Sequence, residues 1–141
     1  MLQGEHKILA FDIHGDERGK LISLESIKNI PFDIRRVYYI FGTDSNLPRG
    51  FHAHKKLKQI LIAVNGSLKI KVETLNEEAQ YELNSPAKGL YLSGPVWREM
   101  FDFQNDCVLL VLASDFYNEE DYIRDKSVFN KMKRYTESDS N

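Results

Sequence analysis

An all-β barrel or sandwich closed by a short C-terminal helix is the fold class this 141-residue sequence predicts. Three observations point there. The chain breaks into short apolar or alternating runs separated by turn residues, the pattern of many short strands. Helical periodicity is scarce before the last quarter. Apolar residues make up 42% of a length suited to about one domain, enough for one packed core. The expectation is a single domain over 1–141, with a core at about 7–124 and no linker, repeat or low-complexity segment.

In chain order, the runs read as strands are 7–13, 20–25, 36–41, 50–54, 58–64, 67–74, 80–83, 89–92, 99–103 and 108–113. Turn residues separate them: His14-Gly15-Asp16, Asn46-Leu47-Pro48, Asn65-Gly66 and Ser93-Gly94-Pro95. Asn65-Gly66 between two apolar runs predicts a type I′ hairpin, because both residues tolerate positive φ. Alternation of Leu68, Ile70 and Val72 with Lys69, Lys71 and Glu73 sends one face of its strand inward and the other to water. Residues 108–113 are apolar on both faces, so that strand is central in a sheet or packed on a partner, which admits a homodimer. Over 119–135, Tyr122, Phe129 and Met132 recur at near-helical spacing, with acids at the start and Lys131, Lys133 and Arg134 near the end, as a helix dipole favours. Residues 136–141 are polar and expected to fray.

Composition excludes several function classes. Nineteen Lys plus Arg against 21 Asp plus Glu leave a formal charge of −2, which does not suit a dedicated duplex-nucleic-acid binder. No apolar run approaches the roughly 18 residues needed to span a bilayer, and the first residues lack a signal peptide's apolar stretch. Cys107 is the single cysteine, so neither an internal disulfide nor a multi-cysteine zinc site is available, and a cytoplasmic protein is expected.

The densest chemistry lies in 49–59, Arg-Gly-Phe-His-Ala-His-Lys-Lys-Leu-Lys-Gln. On a strand His52 and His54 share a face. Four residues separate His54 from Gln59, and six separate Gln59 from Gly66. From its His-x-His onward this resembles the first cupin motif, with the opening glycine displaced to Gly50 and with Gln59 in place of the acidic metal ligand. The second cupin motif's histidine is also missing: 89–100 holds Trp97-Arg98-Glu99, and an arginine cannot coordinate a metal. A neutral amide is a poor substitute for a carboxylate ligand, so no metal is expected. The two histidines then become candidates for proton transfer, since an imidazole titrates near neutrality, against the alternative of an inert structural histidine. Arg49 with Lys55 or Lys56 suggests an anionic ligand nearby, although lysines of this kind also serve as a solvated face. Trp97, Phe101 and Tyr91 could wall a sugar or stack on a base, or lie in the core. His6 and His14 receive no role.

At finer grain 30–40, 49–57, 89–91, 96–100 and 112–124 resemble the dTDP-sugar 3,4-ketoisomerases, small cupins of bacterial deoxysugar pathways, over about 7–124. The resemblance implies a homodimeric cupin double-stranded β-helix, a jelly-roll barrel, that converts dTDP-4-keto-6-deoxyglucose to a dTDP-3-keto-6-deoxyhexose without metal or redox cofactor. It implies His52 as the base, with His54 supporting or shuttling. Arg18, Tyr38 and Arg98 are candidates to meet negative charge on the C3 and C4 oxygens. Arg35, Arg36 and Arg49 are candidates for the pyrophosphate, and since Arg35 and Arg36 point to opposite faces of a strand, at most one of those two can reach a barrel interior. Lys56, Gln59 and Trp97 complete the substrate-binding set. In the family the residues at the Arg18 and Arg98 positions accompany an equatorial or axial product hydroxyl at C4. Arginine at both combines the two patterns and leaves gluco and galacto open. The competing readings are a non-catalytic nucleotide-sugar-binding cupin, a related 3,5-epimerase and a metal-dependent oxygenase.

Overall fold

A computed structural model describes residues 3–139, with side chains through Arg134. The strands are β1 (Glu5–Ala10), β2 (His14–Asp16), β3 (Gly19–Leu21), β4 (Arg36–Ile40), β5 (Arg49–His54), β6 (Lys58–Glu73), β7 (Glu78–Leu83), β8 (Lys88–Ser93), β9 (Trp97–Ala113) and β10 (Tyr122–Ile123), followed by helix α1 (Lys126–Asp139). Eight of these strands form one curled sheet, in the order β1-β8-β6-β9-β5-β10, with β4 also on β9 and β7 also on β6. Every pairing within it is antiparallel. Strands β2 and β3 pair only with each other. This is the cupin jelly roll with its short C-terminal helix. Among the described residues no helix is long and apolar enough to cross a membrane.

The core follows from alternation. Leu61, Ala63, Leu68, Ile70 and Val72 of β6 meet Met100, Phe103, Leu109 and Val111 of β9 inside the curl. A second cluster lies on the outer face, where Ile60, Ile62 and Leu112 are covered by Phe11, Ile30 and Phe32. The apolar 108–113 run is central, flanked by β4 and β6.

Asn65-Gly66 does not form a hairpin. Both halves of the predicted pair belong to β6, and both run antiparallel to β9, from Gln59↔Ala113 to Glu73↔Trp97. The likewise separate 99–103 and 108–113 merge into β9. The two long strands bend together, with register shifts around Asn65 and positive φ at Gly66, Asp102, Asn105 and Asp106. A Cβ on Gly66 would lie 2.4 Å from the Gln104 carbonyl oxygen, so the left-handed glycine serves a bulge with close backbone approach. Asn65 Nδ2 donates to the Asn105 and Asp106 carbonyls at 3.3 and 3.0 Å across it. The predicted turn His14-Gly15-Asp16 is itself β2, and the strand read over 20–25 is only Gly19–Leu21.

The helix also begins later than its periodicity suggests. Residues Glu119–Asp121 form a 3-10 turn, and Tyr122 and Ile123 pair with His54 and Ala53 of β5. Asp125 caps α1, its carboxylate accepting from the Ser127 amide at 2.9 Å. Phe129, fully buried, and Met132 face Ala53, Leu75, Trp97 and Ile123. The basic run lies mid-helix. Lys133 pairs with Glu73 of β6, 4% exposed, which Lys126 also reaches at 2.6 Å. That clasp explains the one break in the alternation over 68–73, a buried Glu73 where an exposed one is expected. The helix continues past 136 to Asp139, while 140–141 lie outside the described residues.

Candidate active site

The imidazoles owe their place to a bulge in β5. Gly50 and Phe51 both have positive φ, 95° and 58°, and the register shifts between Gly50 and His52. One extra residue is thereby absorbed, so that His52 stands opposite Arg98 of β9. His52 and His54 then turn to one face, ring centroids 5.0 Å apart and nearly perpendicular. Tyr122, opposite His54 on β10, packs against both rings at 5.1 and 4.3 Å.

His54 is 1% exposed and anchored from behind by Asp121. The Asp121 carboxylate accepts from the Lys56 and Leu57 amides at 2.9 and 3.3 Å and lies 3.1 Å from His54 Nδ1. A carboxylate on Nδ1 selects the tautomer that carries its hydrogen there. Nε2 is then the free lone pair, and it is buried without a hydrogen-bond partner. Burial first, and the Arg98 charge second, lower His52 to about 4 and His54 to about 2. Both rings are therefore neutral at neutral pH, able to accept a proton.

Arg98 is 2% exposed and makes no ion pair among the described residues. Its Nη1 donates to Gln59 Oε1 and its Nη2 to the Val96 carbonyl at 3.3 Å, while Nε has no partner. Burial lowers its pKa to about 10, which leaves it a cation at neutral pH. A buried guanidinium with unspent donors and no carboxylate is a receptor for negative charge. Tyr38 Oη, 3.0 Å from Gln59 Nε2, lies beside it, and burial raises the phenol above its usual pKa, so it stays protonated.

Tyr38 and His52 border a cleft of ≈ 380 Å³ whose wall also includes Arg36, Arg49, Tyr122 and Arg124, while Arg98 is buried and not part of its lining. A smaller one of ≈ 170 Å³, lined by His54, Lys56 and Asp121, shares Arg36 and Tyr122 with it. Arg36 points inward from β4 while Arg35 is exposed, as strand alternation requires. Buried Arg36 Nε has no hydrogen-bond partner.

Of the residues expected at the site, Tyr38, His52, Arg36 and Arg49 line the larger cleft and His54 and Lys56 the adjoining one, while Arg98 stands opposite His52 on β9 without lining either. Gln59, 1% exposed, stands behind the wall, bonded to Arg98 and Tyr38. Arg18 and Trp97 line neither cleft in this single chain. Arg18 sits on the β2–β3 turn, its side chain 86% exposed and paired with Asp16 at 2.7 Å. Trp97 is core: 4% exposed, it packs on Phe129 of α1 and donates to Glu99 at 3.0 Å. Asp121, Tyr122 and Arg124 were missed as site residues, since 119–135 reads as helix and a two-residue strand carries no periodicity. The resemblance to the ketoisomerases over 112–124 was the available signal.

Two imidazoles, an amide engaged on both sides and a guanidinium do not make a donor set for a divalent cation. Among the described residues no group of three or more His, Cys, Asp or Glu could hold a metal ion.

Residues 4–134 match the family model described as FdtA: WxcM-like, C-terminal. The TDP-4-oxo-6-deoxy-alpha-D-glucose-3,4-oxoisomerase of Aneurinibacillus thermoaerophilus is 52% identical over 127 residues, which cover 90% of this chain and 91% of that protein. The crystal structure of a 3,4-ketoisomerase from Helicobacter canadensis superposes with a TM-score of 0.88 at 48% identity, over 92% of this chain and 98% of that one. A histidine-to-asparagine variant of the 3,4-ketoisomerase QdtA from Thermoanaerobacterium thermosaccharolyticum, in complex with TDP-4-keto-6-deoxyglucose, superposes at 0.87 and 48% identity, over 92% and 94%.

Proposed function

The chain belongs to the FdtA family, WxcM-like, C-terminal, and is a sugar 3,4-ketoisomerase; we propose that it acts on TDP-4-keto-6-deoxyglucose, with His52 as the base. The observation that carries this reading is the pair of neutral imidazoles 5.0 Å apart beside a buried arginine that lacks a carboxylate partner. Neutral His52 takes the C3 proton. The electrons left behind extend onto the C4 carbonyl oxygen, and Arg98 and Tyr38 meet the enediolate charge as fixed donors. A proton is delivered to C4, and the hydrogen of the C3 hydroxyl passes to the C4 oxygen. The carbonyl has then moved to C3 with no gain or loss of electrons. His54, its Nε2 freed by Asp121, serves the oxygen-to-oxygen transfer. Arg36 and Arg49 take the diphosphate, for which guanidinium forks suit the geometry. The working form is proposed to be a homodimer.

Proton NMR in deuterated water with TDP-4-keto-6-deoxyglucose tests the reading. Deuterium at C4 with the carbonyl at C3 is expected, and the H4–H5 coupling reports gluco or galacto. His52→Asn is expected to abolish turnover while leaving TDP affinity within about threefold. Deuterium at C3 and C5 would instead mark an epimerase, and binding without exchange a nucleotide-sugar-binding module. Retained turnover in His52→Asn would remove His52 from its role.

A further inference from the structure

Gln59 touches both Arg98 and Tyr38 yet, like Arg98, contributes no surface to the cleft that Tyr38 lines. A guanidinium has hydrogens to give and no lone pair to offer, so the Gln59 atom facing Arg98 Nη1 must be the oxygen, Oε1. The amide nitrogen is then the atom that faces Tyr38, 3.0 Å from Oη. An amide nitrogen only donates, so the Tyr38 oxygen accepts and its hydrogen must point elsewhere. Among the described residues Tyr38 Oη makes no other hydrogen bond, and Tyr38 lines the larger cleft beside His52.

We infer that Gln59 is a positioning residue that fixes the Tyr38 hydroxyl as a donor toward the substrate: Arg98 orients the amide, and the amide orients the phenol. This rests on the ketoisomerase reading and deepens it. An acidic residue of the same size would reverse the arrangement. A carboxylate at position 59 accepts from both sides, drawing the Tyr38 hydrogen away from the cleft and neutralising the Arg98 charge. One atom exchanged, NH2 for O, turns a site built to donate to an oxyanion into one that withholds a donor.

The test is a cycle of Gln59→Glu, Tyr38→Phe and the double variant, read as kcat, KM, TDP affinity and melting temperature. Gln59→Glu is expected to lower kcat by about 10²-fold, the usual cost of one lost oxyanion donor, with TDP affinity changed by less than about threefold. In the Y38F background the same substitution is expected to cost at least about tenfold less, because there is no hydroxyl left to misdirect; what remains reads the neutralised Arg98. A merely structural role would lower melting temperature and TDP affinity along with kcat, equally in both backgrounds. Equal loss in both backgrounds, or kcat retained in Gln59→Glu, overturns the inference. If Gln59→Glu does not fold, Gln59→Met removes the donor without adding a charge, and its kcat loss is again expected to be at least about tenfold larger in the presence of Tyr38 than in the Y38F background, where only the Arg98 contact is lost. Failure of the unsubstituted protein to isomerise the sugar overturns the parent reading, and this one with it. Normal turnover by that protein with an unaffected Gln59→Glu overturns this one alone.

Discussion

His52 is proposed as a base although its pKa lies at about 4, and the consequence is a pH profile unlike that of an exposed histidine. Burial and the Arg98 charge disfavour the imidazolium, so the free enzyme holds the competent neutral ring down to pH values where an ordinary imidazole, at about 6.5, is already charged. The acid limb of kcat/KM is therefore expected near pH 4, with the profile flat from about pH 6 to 8. A limb at about 6.5 would show that the rings titrate as if solvated, and the proposed desolvated site would be wrong. Stability has the same sign. With the folded pKa below the unfolded one, the unfolded chain binds more protons between about 4 and 6.5, so stability is fully present above about 6.5 and falls as the pH drops through that window. His54, lowered to about 2, extends the loss to still lower pH. Circular dichroism across the titration separates loss of the base from loss of the fold. Because the rings are 5.0 Å apart, the measured constants belong to the pair.

What places these residues is the β5 bulge. At Gly50, φ is +95°, and a Cβ there would stand 3.0 Å from the Arg98 carbonyl oxygen. Gly50→Ala thus meets the strand that carries Arg98 while adopting a conformation that L residues rarely hold, at a cost of about 1–3 kcal/mol. The expected result is a lowered melting temperature with kcat reduced at least about tenfold, as His52 and Arg98 lose their register. Phe51 holds φ 58° with its side chain 44% exposed. Phe51→Gly takes that conformation freely and is expected to keep stability within about 1 kcal/mol and to keep turnover. Comparable damage from both would mean that the bulge has no particular part in placing His52. Elements of this kind also mark where the sequence was legible. His-x-His placed both rings correctly because strand alternation is a local rule, and the same rule separated Arg35 from Arg36. Asn65-Gly66 misled because positive φ serves a hairpin or a bulge equally well, and only the partner strand β9 decides between them. Tyr122 misled for the same reason: its spacing to Phe129 fits a helix, but its pairing with His54 is long-range.

At the scale of the whole molecule the two faces of the sheet have different business. The inner face carries the cleft; the outer face is apolar and incompletely covered. Strand β4 pairs with β9 alone and turns Val37 and Tyr39 outward at 55% and 63% exposure, with Phe41 just beyond its end at 69%. Tyr39 stands opposite Leu110, and Leu110 opposite Ile62, so one apolar row crosses three strands. It runs into an apolar depression of ≈ 280 Å³ lined by Ile13, Ile22, Leu24, Ile62, Val64 and Leu110. A contiguous patch beside an unpaired strand edge invites association unless something covers it. The proposed homodimer is the simplest cover, since a two-fold interface needs only a self-complementary patch. Sedimentation equilibrium of the unsubstituted chain at micromolar concentration is expected to give twice the chain mass. Tyr39→Lys would bury an unpaired charge at the centre of that face and is expected to raise the dimer Kd by about 10²-fold, about 3 kcal/mol. Because Tyr39 points away from the cleft, the monomeric variant should keep its circular dichroism and its affinity for TDP. A monomeric unsubstituted chain would sink the dimer, and a Tyr39→Lys protein that stays dimeric would move the interface away from β4. The stakes reach the site itself: Tyr39 and Tyr38 are consecutive on β4, so whatever holds the outer face of that strand also fixes the phenol facing His52.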